Sequence, residues 1–290
     1  MNTLPKNTSF HAFCILAHKD PELVEILIEE LKSIGKIYLH IDRNSLSDFS
    51  KLLARNDIFA TSEVNVKWGH WSLVEATLIL INRAIEEGAK RITLISGDSL
   101  PLASKKKLSA LLLEDIDICH NRKVKDSGEL NRDDLYFRRY FGFKNYEKFF
   151  PRFINFASSQ WPFKINISKY LSPLELTVGS QWWSVTTLTM LAGLKHFEEN
   201  PKLLKYFKKV KLSDELFFQT LVSHFSRNLN GTGTMYANWS AGNTPHPGDL
   251  DPCQIQEEFR SQKFYFARKF STSEPKNLEV WRELYGTNKS

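Results

Sequence analysis

The chain has 290 residues, long enough for one large domain or two small ones, and its 42% apolar and 25% charged residues are those of a soluble globular protein. Its 39 basic and 33 acidic residues leave a net charge of +6. That favours anionic partners and excludes the strongly basic balance, with its concentrated basic stripe, of a nucleic-acid binder.

No apolar run reaches the ~18 residues of a membrane span, and the opening MNTLPKNTSF holds no apolar stretch of signal-peptide length. The expectation is a cytoplasmic protein, with peripheral contact at an inner membrane face left open. Cys14, Cys119 and Cys253 are odd in number, far apart and at no metal-ligand spacing. They read as reduced thiols of a reducing compartment.

In chain order, FHAFCILAH (10–18) is a short apolar run with the look of a strand. KDPELVEILIEELKSIG then sets Leu23, Ile26, Leu27 and Leu31 at helical spacing, with Gly35 as C-cap. KIYLHID is a second buried strand. SLVEATLILINRAIEEG (72–88) starts on Ser72, carries Glu75 three residues on and ends on Gly88, which predicts a capping box and a glycine C-cap. RITLIS (91–96) is a further strand, SKKKLSALLLED a helix and DIDIC a fifth strand.

This alternation predicts an α/β fold with a mainly parallel sheet covered by helices, and ligands at the carboxyl ends of its strands. The loops there are AHKD (17–20), HIDRNS (40–45) and SGDSLP (96–101), all polar. Residues 121–170 are instead rich in Arg, Lys, Phe and Tyr. Beyond them LTVGSQWWSVT (176–186) reads as a strand, LTMLAGLKHFEE and SDELFFQTLVSHF as helices, and KFYFARKFS as a short strand before a C-terminal helix. Without repeat or linker, the simplest organisation is one continuous domain over 1–290.

Several constellations have a structural and a chemical reading. DID (115–117) and DLD (249–251) fit the D-x-D pattern of divalent-metal sites, or are solvated turns and strand ends. No G-x-G-x-x-G or Walker loop is present. Asp214 and Glu215 follow Ser213, so they either complement a helix N-terminus or supply a general base at the rim of a cleft. Trp68, Trp71, Trp182 and Trp183 are core residues or ligand walls, and Gly179 and Ser180 beside the second pair permit close backbone approach. Arg268 and Lys269 end a strand and would point alternately to its two sides, either solvated or meeting a phosphate. PKLLKYFKKVK and KFFPRFINFASSQWPFKI join basic to aromatic residues, as a solvated face or as a surface for anionic lipid.

Eight pieces, in order, resemble the core-2/I-branching β-1,6-N-acetylglucosaminyltransferase and peptide O-xylosyltransferase family. They are ILAHKD, LHIDRNS, WGHWSLVEATL, LISGDSLPL, RRYF, VGSQWWSVT, SDELFFQT and YFARKF, spanning about residues 13–270. The resemblance implies a GT-A-like, Rossmann-like fold and inverting transfer of a sugar, N-acetylglucosamine first among the candidates, from a UDP-sugar to a surface-glycan hydroxyl. It implies no metal and no cofactor beyond the donor, with residues about 10–120 holding the nucleotide and about 121–290 the acceptor and the chemistry.

By the same resemblance Asp42 binds the nucleoside, Trp68 meets the uracil, Glu215 is the catalytic base and Lys269 meets the diphosphate. His18 and Arg268 join the donor site. Asp98, Gln181, Trp182 and Asp214 face substrate, and Arg138 and Arg139 lie near the acceptor. Two departures stand out. Ser99 occupies the family's acid position, so the role of Asp98 is open, and a second phosphate-binding arginine has no counterpart, leaving Arg268 or His246 to substitute. The alternative is a non-catalytic glycan- or nucleotide-sugar-binding protein on the same fold. The lack of an anchor and of paired cysteines suggests a bacterial cytoplasmic relative acting on an oligosaccharide or lipid-linked glycan.

Overall fold

The computed structural model describes residues 9–124, 167–239 and 247–287. Its central sheet runs in the order β10-β6-β9-β4-β1-β2-β3. The strands are β1 (Phe10–Ala17), β2 (Lys36–Ile41), β3 (Phe59–Thr61), β4 (Ala89–Ser96), β6 (Asp117–Cys119), β9 (Trp183–Thr186) and β10 (Leu229–Asn230). β1 lies parallel to β2 and β4, β2 to β3, and β6 to β10, while β9 runs antiparallel between β4 and β6. The expected mixed α/β, mainly parallel sheet is the one observed.

β1 is buried at every position from His11 to Ala17, as a parallel strand covered on both faces must be. Helix α1 (Pro21–Leu31) turns Leu23, Val24, Leu27, Ile28 and Leu31 onto the sheet as one stripe. Each such side chain, fully buried, is worth about 1.5–3 kcal/mol. The short helix α2 (Ser50–Leu53) precedes β3, and α3 (Trp71–Glu86) buries Val74, Thr77, Leu80, Ile81 and Ala84. From β1 the chain steps out to β2 and β3, then returns through α3 to β4 on the other side of β1. That reversal opens a crevice at the carboxyl ends of β1 and β4, where open α/β sheets take their ligands.

A smaller sheet brings the C-terminal part to this crevice. β12 (Phe266–Arg268) lies parallel to β11 (Met235–Ala237) and antiparallel to β5 (Ser99–Pro101), pairing Arg268 with Ser99. Beneath the main sheet a polar chain ties three strands together: His11 Nε2 to Thr93 Oγ1 at 2.6 Å, Thr93 to Ser184 Oγ at 2.7 Å, and Arg91 to the same hydroxyl at 3.2 Å. Burial first, and the Arg91 charge second, push His11 down to about 3, so it is neutral there.

Local details differ from the sequence expectations. The cap of α3 is His70, whose Nδ1 accepts from the Ser72 amide at 3.2 Å, and Ser72 Oγ instead accepts from the Lys67 amide at 2.9 Å. Gly88 does follow the helix end, at φ 89°. Gly35 is not a C-cap, since α1 ends at Leu31. A Cβ there would lie 2.4 Å from the His11 carbonyl oxygen, so close packing on β1 explains the glycine.

The run 176–186 is not one strand. β8 (Thr177–Val178) pairs with β7 (Arg122–Lys123), a loop follows, and only Trp183–Thr186 enters the main sheet. In the 201–211 segment Tyr206 and Phe207 are buried, and the exposed residues are Pro201, Lys202, Lys205, Lys208 and Lys209, so its aromatics offer no lipid surface. The second basic-aromatic segment, 148–165, lies outside the described residues. No helix among the described residues is long and apolar enough to cross a membrane.

Candidate active site

A cleft of about 1380 Å³ lies over the ends of β1, β2 and β4. Its lining includes His18, Asp42, Trp68, Asp98, Gln181, Trp182, Asp214, Glu215, Arg268 and Lys269. Ten of the residues singled out from the sequence therefore share one wall system. Arg138, Arg139 and His246 lie outside the described residues.

One corner is built from the ends of β4 and β12. Asp98 is buried, and Arg268, set opposite Ser99 by the β5–β12 pairing, donates to both its carboxylate oxygens, Nε to Oδ1 at 2.9 Å and Nη2 to Oδ2 at 3.0 Å. Burial opposes ionisation of Asp98, but the charge and hydrogen bonds of Arg268 outweigh it and hold the carboxyl below its ordinary value. The guanidinium also lies 5.1 Å from the Trp182 ring centre, which explains why Trp182 is both buried and part of the wall.

Two expectations change here. Arg268 is committed to Asp98, which supplies the role left open for that acid. Arg268 and Lys269 do not diverge to opposite sides either, because both line the cleft. Strand β12 ends at Arg268, so strand alternation no longer governs Lys269. Burial, then the Arg268 charge, lowers the Lys269 pKa.

The facing wall carries the paired acids. Ser213–Glu215 is a 3₁₀ turn, and the helix that follows, Phe217–Phe225, starts only after it. Among the described residues Ser213 makes no capping bond, and the two acids stand in the turn directly ahead of the helix. The turn is pinned from outside. Leu212, at φ 58°, donates its amide to Gly69 O at 2.8 Å, and Gly179 donates to Glu215 O at 2.9 Å. A Cβ on Gly179 would lie 1.7 Å from the His120 carbonyl oxygen, so the close approach foreseen there is to the protein's own backbone.

Asp214 is buried, with Oδ1 lacking a hydrogen-bond partner among the described residues, while Glu215 is half-buried. Burial raises the pKa of both well above the carboxylate range, and the neighbouring Asp214 charge raises Glu215 further. Such a pair holds a proton near neutral pH and can take one from an alcohol.

At the far end Asp42 caps the 3₁₀ turn Arg43–Ser45, its Oδ1 accepting from the Asn44 and Val66 amides at 3.2 Å each. Trp68 is 48% exposed, a flat aromatic face with Lys211 Nζ 5.2 Å from its ring centre. Trp71 and Trp183 are core. His18 is exposed at the end of β1, and Gln181 carries a buried Nε2 without a partner among the described residues.

Neither D-x-D triplet lines the cleft. Asp117 is buried under bonds from the Thr186 amide, Thr189 and Ser226, and Asp251 caps the helix Pro252–Ser261. Among the described residues, no group of three or more His, Cys, Asp or Glu side chains could hold a metal ion. Sequence reasoning missed Lys19, Tyr236 and Trp239, the last 62% exposed, which also line the cleft. Lys19 sits beside His18 in a strand-end loop, a visible signal. Nothing local marks Trp239.

A model of the Core-2/I-Branching enzyme family matches residues 11–262. No curated protein matches the chain. Among solved structures, it is similar to a mannose-1-phosphate geranyltransferase from Thermus thermophilus, with 11% identity and TM-score 0.35 over 77% of this chain and 70% of that one. It is also similar to 4-diphosphocytidyl-2C-methyl-D-erythritolsynthase from Anaerococcus prevotii, with 14% identity and TM-score 0.36 over 70% of this chain and 86% of that one. A nucleotidyl transferase from Methanothermobacter thermautotroptrophicus is similar at 11% identity and TM-score 0.29 over 41% of this chain, which spans a little under two thirds, 64%, of that protein.

Proposed function

The chain belongs to the Core-2/I-Branching enzyme family, which makes it a glycosyltransferase, and from that premise we propose an inverting transfer of N-acetylglucosamine from its UDP-sugar to a glycan hydroxyl, without a divalent metal. The observation that carries this is the cleft's charge pattern: two acids of raised pKa on the 212–215 turn, and a cationic corner at the ends of β4 and β12.

The uracil stacks on Trp68 and the nucleoside lies against Asp42, at the end of the cleft formed by β2 and the loop before α3. The diphosphate meets Lys269. Glu215 takes the proton from the acceptor hydroxyl as that oxygen attacks the anomeric carbon. The bond from that carbon to the diphosphate oxygen breaks, UDP leaves with the electron pair, and attack from the opposite face inverts the anomeric centre. Fixed ammonium charge beside the diphosphate supplies the stabilisation that a divalent ion gives elsewhere. The cleft residues that support this reading are the cationic corner. Neither acidic triplet lines the cleft: Asp117 and Asp251 are tied into the fold, and the second triplet meets the corner from outside, Leu250 donating its amide to Lys269 O at 3.1 Å.

The test is UDP release from UDP-N-acetylglucosamine with a glycan acceptor in excess chelator, with the product anomer read by NMR. Expected are turnover, a β-linked product, and its loss in Glu215→Gln with UDP affinity retained. A strict manganese requirement removes the metal-independent reading, and full turnover by Glu215→Gln removes the base.

A further inference from the structure

The loop that follows β1 is fastened to the segment that follows β12. Asp20 takes a left-handed backbone, φ 54° and ψ 64°, and its carboxylate gathers four bonds. Oδ1 accepts from the Leu23 amide at 3.2 Å and Thr272 Oγ1 at 2.8 Å, and Oδ2 accepts from the Thr272 amide at 2.7 Å and Ser271 Oγ at 3.2 Å. The loop after β4 joins both by main-chain bonds, Gly97 N donating to Leu16 O at 2.8 Å at the end of β1 and Phe270 N to Asp98 O at 2.9 Å after β12.

Lys19, next to Asp20, and Lys269, two residues before Ser271, are thereby held in one corner of the cleft, and both line it. The electrostatic influence of Lys19 reaches both Asp98 and Lys269. Asp98, Arg268, Lys19 and Lys269 meet there, and the Asp249 charge also acts on Lys269. Asp98 and Arg268 satisfy each other through two parallel bonds. The ammonium groups of Lys19 and Lys269 have no hydrogen-bond or ion-pair partner among the described residues. Two like charges side by side raise the energy of the empty site, and a dianionic group between them relieves it.

We propose that Lys19 is the second cation on the donor's diphosphate, that Arg268 is a positioning residue held by Asp98, and that the Asp20 clamp sets Lys19 beside Lys269. This rests on the UDP-sugar reading above and fills the place of the missing arginine. Because the diphosphate gains negative charge as the glycosidic bond breaks, Lys19 acts on the leaving group as well as on binding.

Calorimetric titration of wild type, Lys19→Gln and Lys19→Arg with UDP and with uridine tests it. Lys19 is exposed, so the variants keep the fold, checked by an unchanged Tm. The expected result is about a tenfold or greater loss of UDP affinity in Lys19→Gln, unchanged uridine affinity, and most of the loss restored in Lys19→Arg. An unchanged ratio of UDP to uridine affinity in Lys19→Gln overturns the role of Lys19 and leaves the donor reading standing. A wild-type protein that binds neither compound overturns both.

Discussion

At the ends of β4 and β12 the buried Asp98 carboxylate receives two bonds from Arg268, and in the loop after β1 Asp20 receives four. On the 212–215 turn the equally buried Asp214 has an oxygen with no partner among the described residues, and Glu215 sits next to it. Asp98 and Asp214 are thus driven in opposite directions, Asp98 to a lowered pKa by Arg268 and Asp214 to a raised one by burial. The paired acids hold loops in register so that cations stay in place. The unpaired acids keep a proton affinity suited to chemistry, at the expense of stability.

The comparison breaks first, and most severely, at Glu215. Glu215→Gln keeps the shape of the turn and removes the base, so kcat is expected to fall about 10²–10⁴-fold, with UDP binding retained in a direct titration.

Next in size is Asp98→Ala, which leaves the Arg268 guanidinium largely buried and unpaired, a loss of about 3–5 kcal/mol. A lowered urea midpoint with unchanged m value is the expected signature. The sign with pH follows from the lowered folded pKa of Asp98. Its contribution is present above the unfolded pKa and is lost as pH falls through the folded one, so wild type and variant converge in acid.

The smallest effect sharpens the contrast from the other side. Asp214→Asn removes a buried charge whose folded pKa is raised, and such a group favours folding below its unfolded pKa and loses that advantage as pH rises through the folded one. The variant is therefore expected to melt higher than wild type at alkaline pH, by about 2–4 °C per kcal/mol regained, with the gain vanishing in acid. The acid limb of kcat moves to lower pH in the same variant, because the Asp214 charge no longer raises Glu215. A limb that stays in place would separate the two acids.

Much of the first half was legible in the chain. The apolar run 10–17 and the helical spacing of Leu23, Leu27 and Leu31 are local patterns, and burial on both faces or on one stripe follows from them directly. The loops AHKD, HIDRNS and SGDSLP all came to the cleft for the same reason, since parallel strands present their carboxyl ends together. The residue roles at those positions came from family resemblance. Capping was less legible: the helix begins one residue before Ser72, so His70 accepts from the Ser72 amide while Ser72 Oγ is taken by the Lys67 amide, and no rule of composition ranks the two. The glycines at 35 and 179 read as local punctuation but answer to distant backbone, the carbonyls of His11 and His120.

By itself, the sequence determined the main strands and helices of the first half, though not the short α2, β3 and β5, together with the polar strand-end loops and a short list of acids and cations able to act on a sugar nucleotide. Only the tertiary structure decided which charge belongs to which partner. Asp98 and Arg268 are 170 positions apart, and Asp20 and Thr272 are 252 apart. Electrostatic energy depends on separation in space and on exclusion of water, and neither quantity is written in the spacing of residues along a chain.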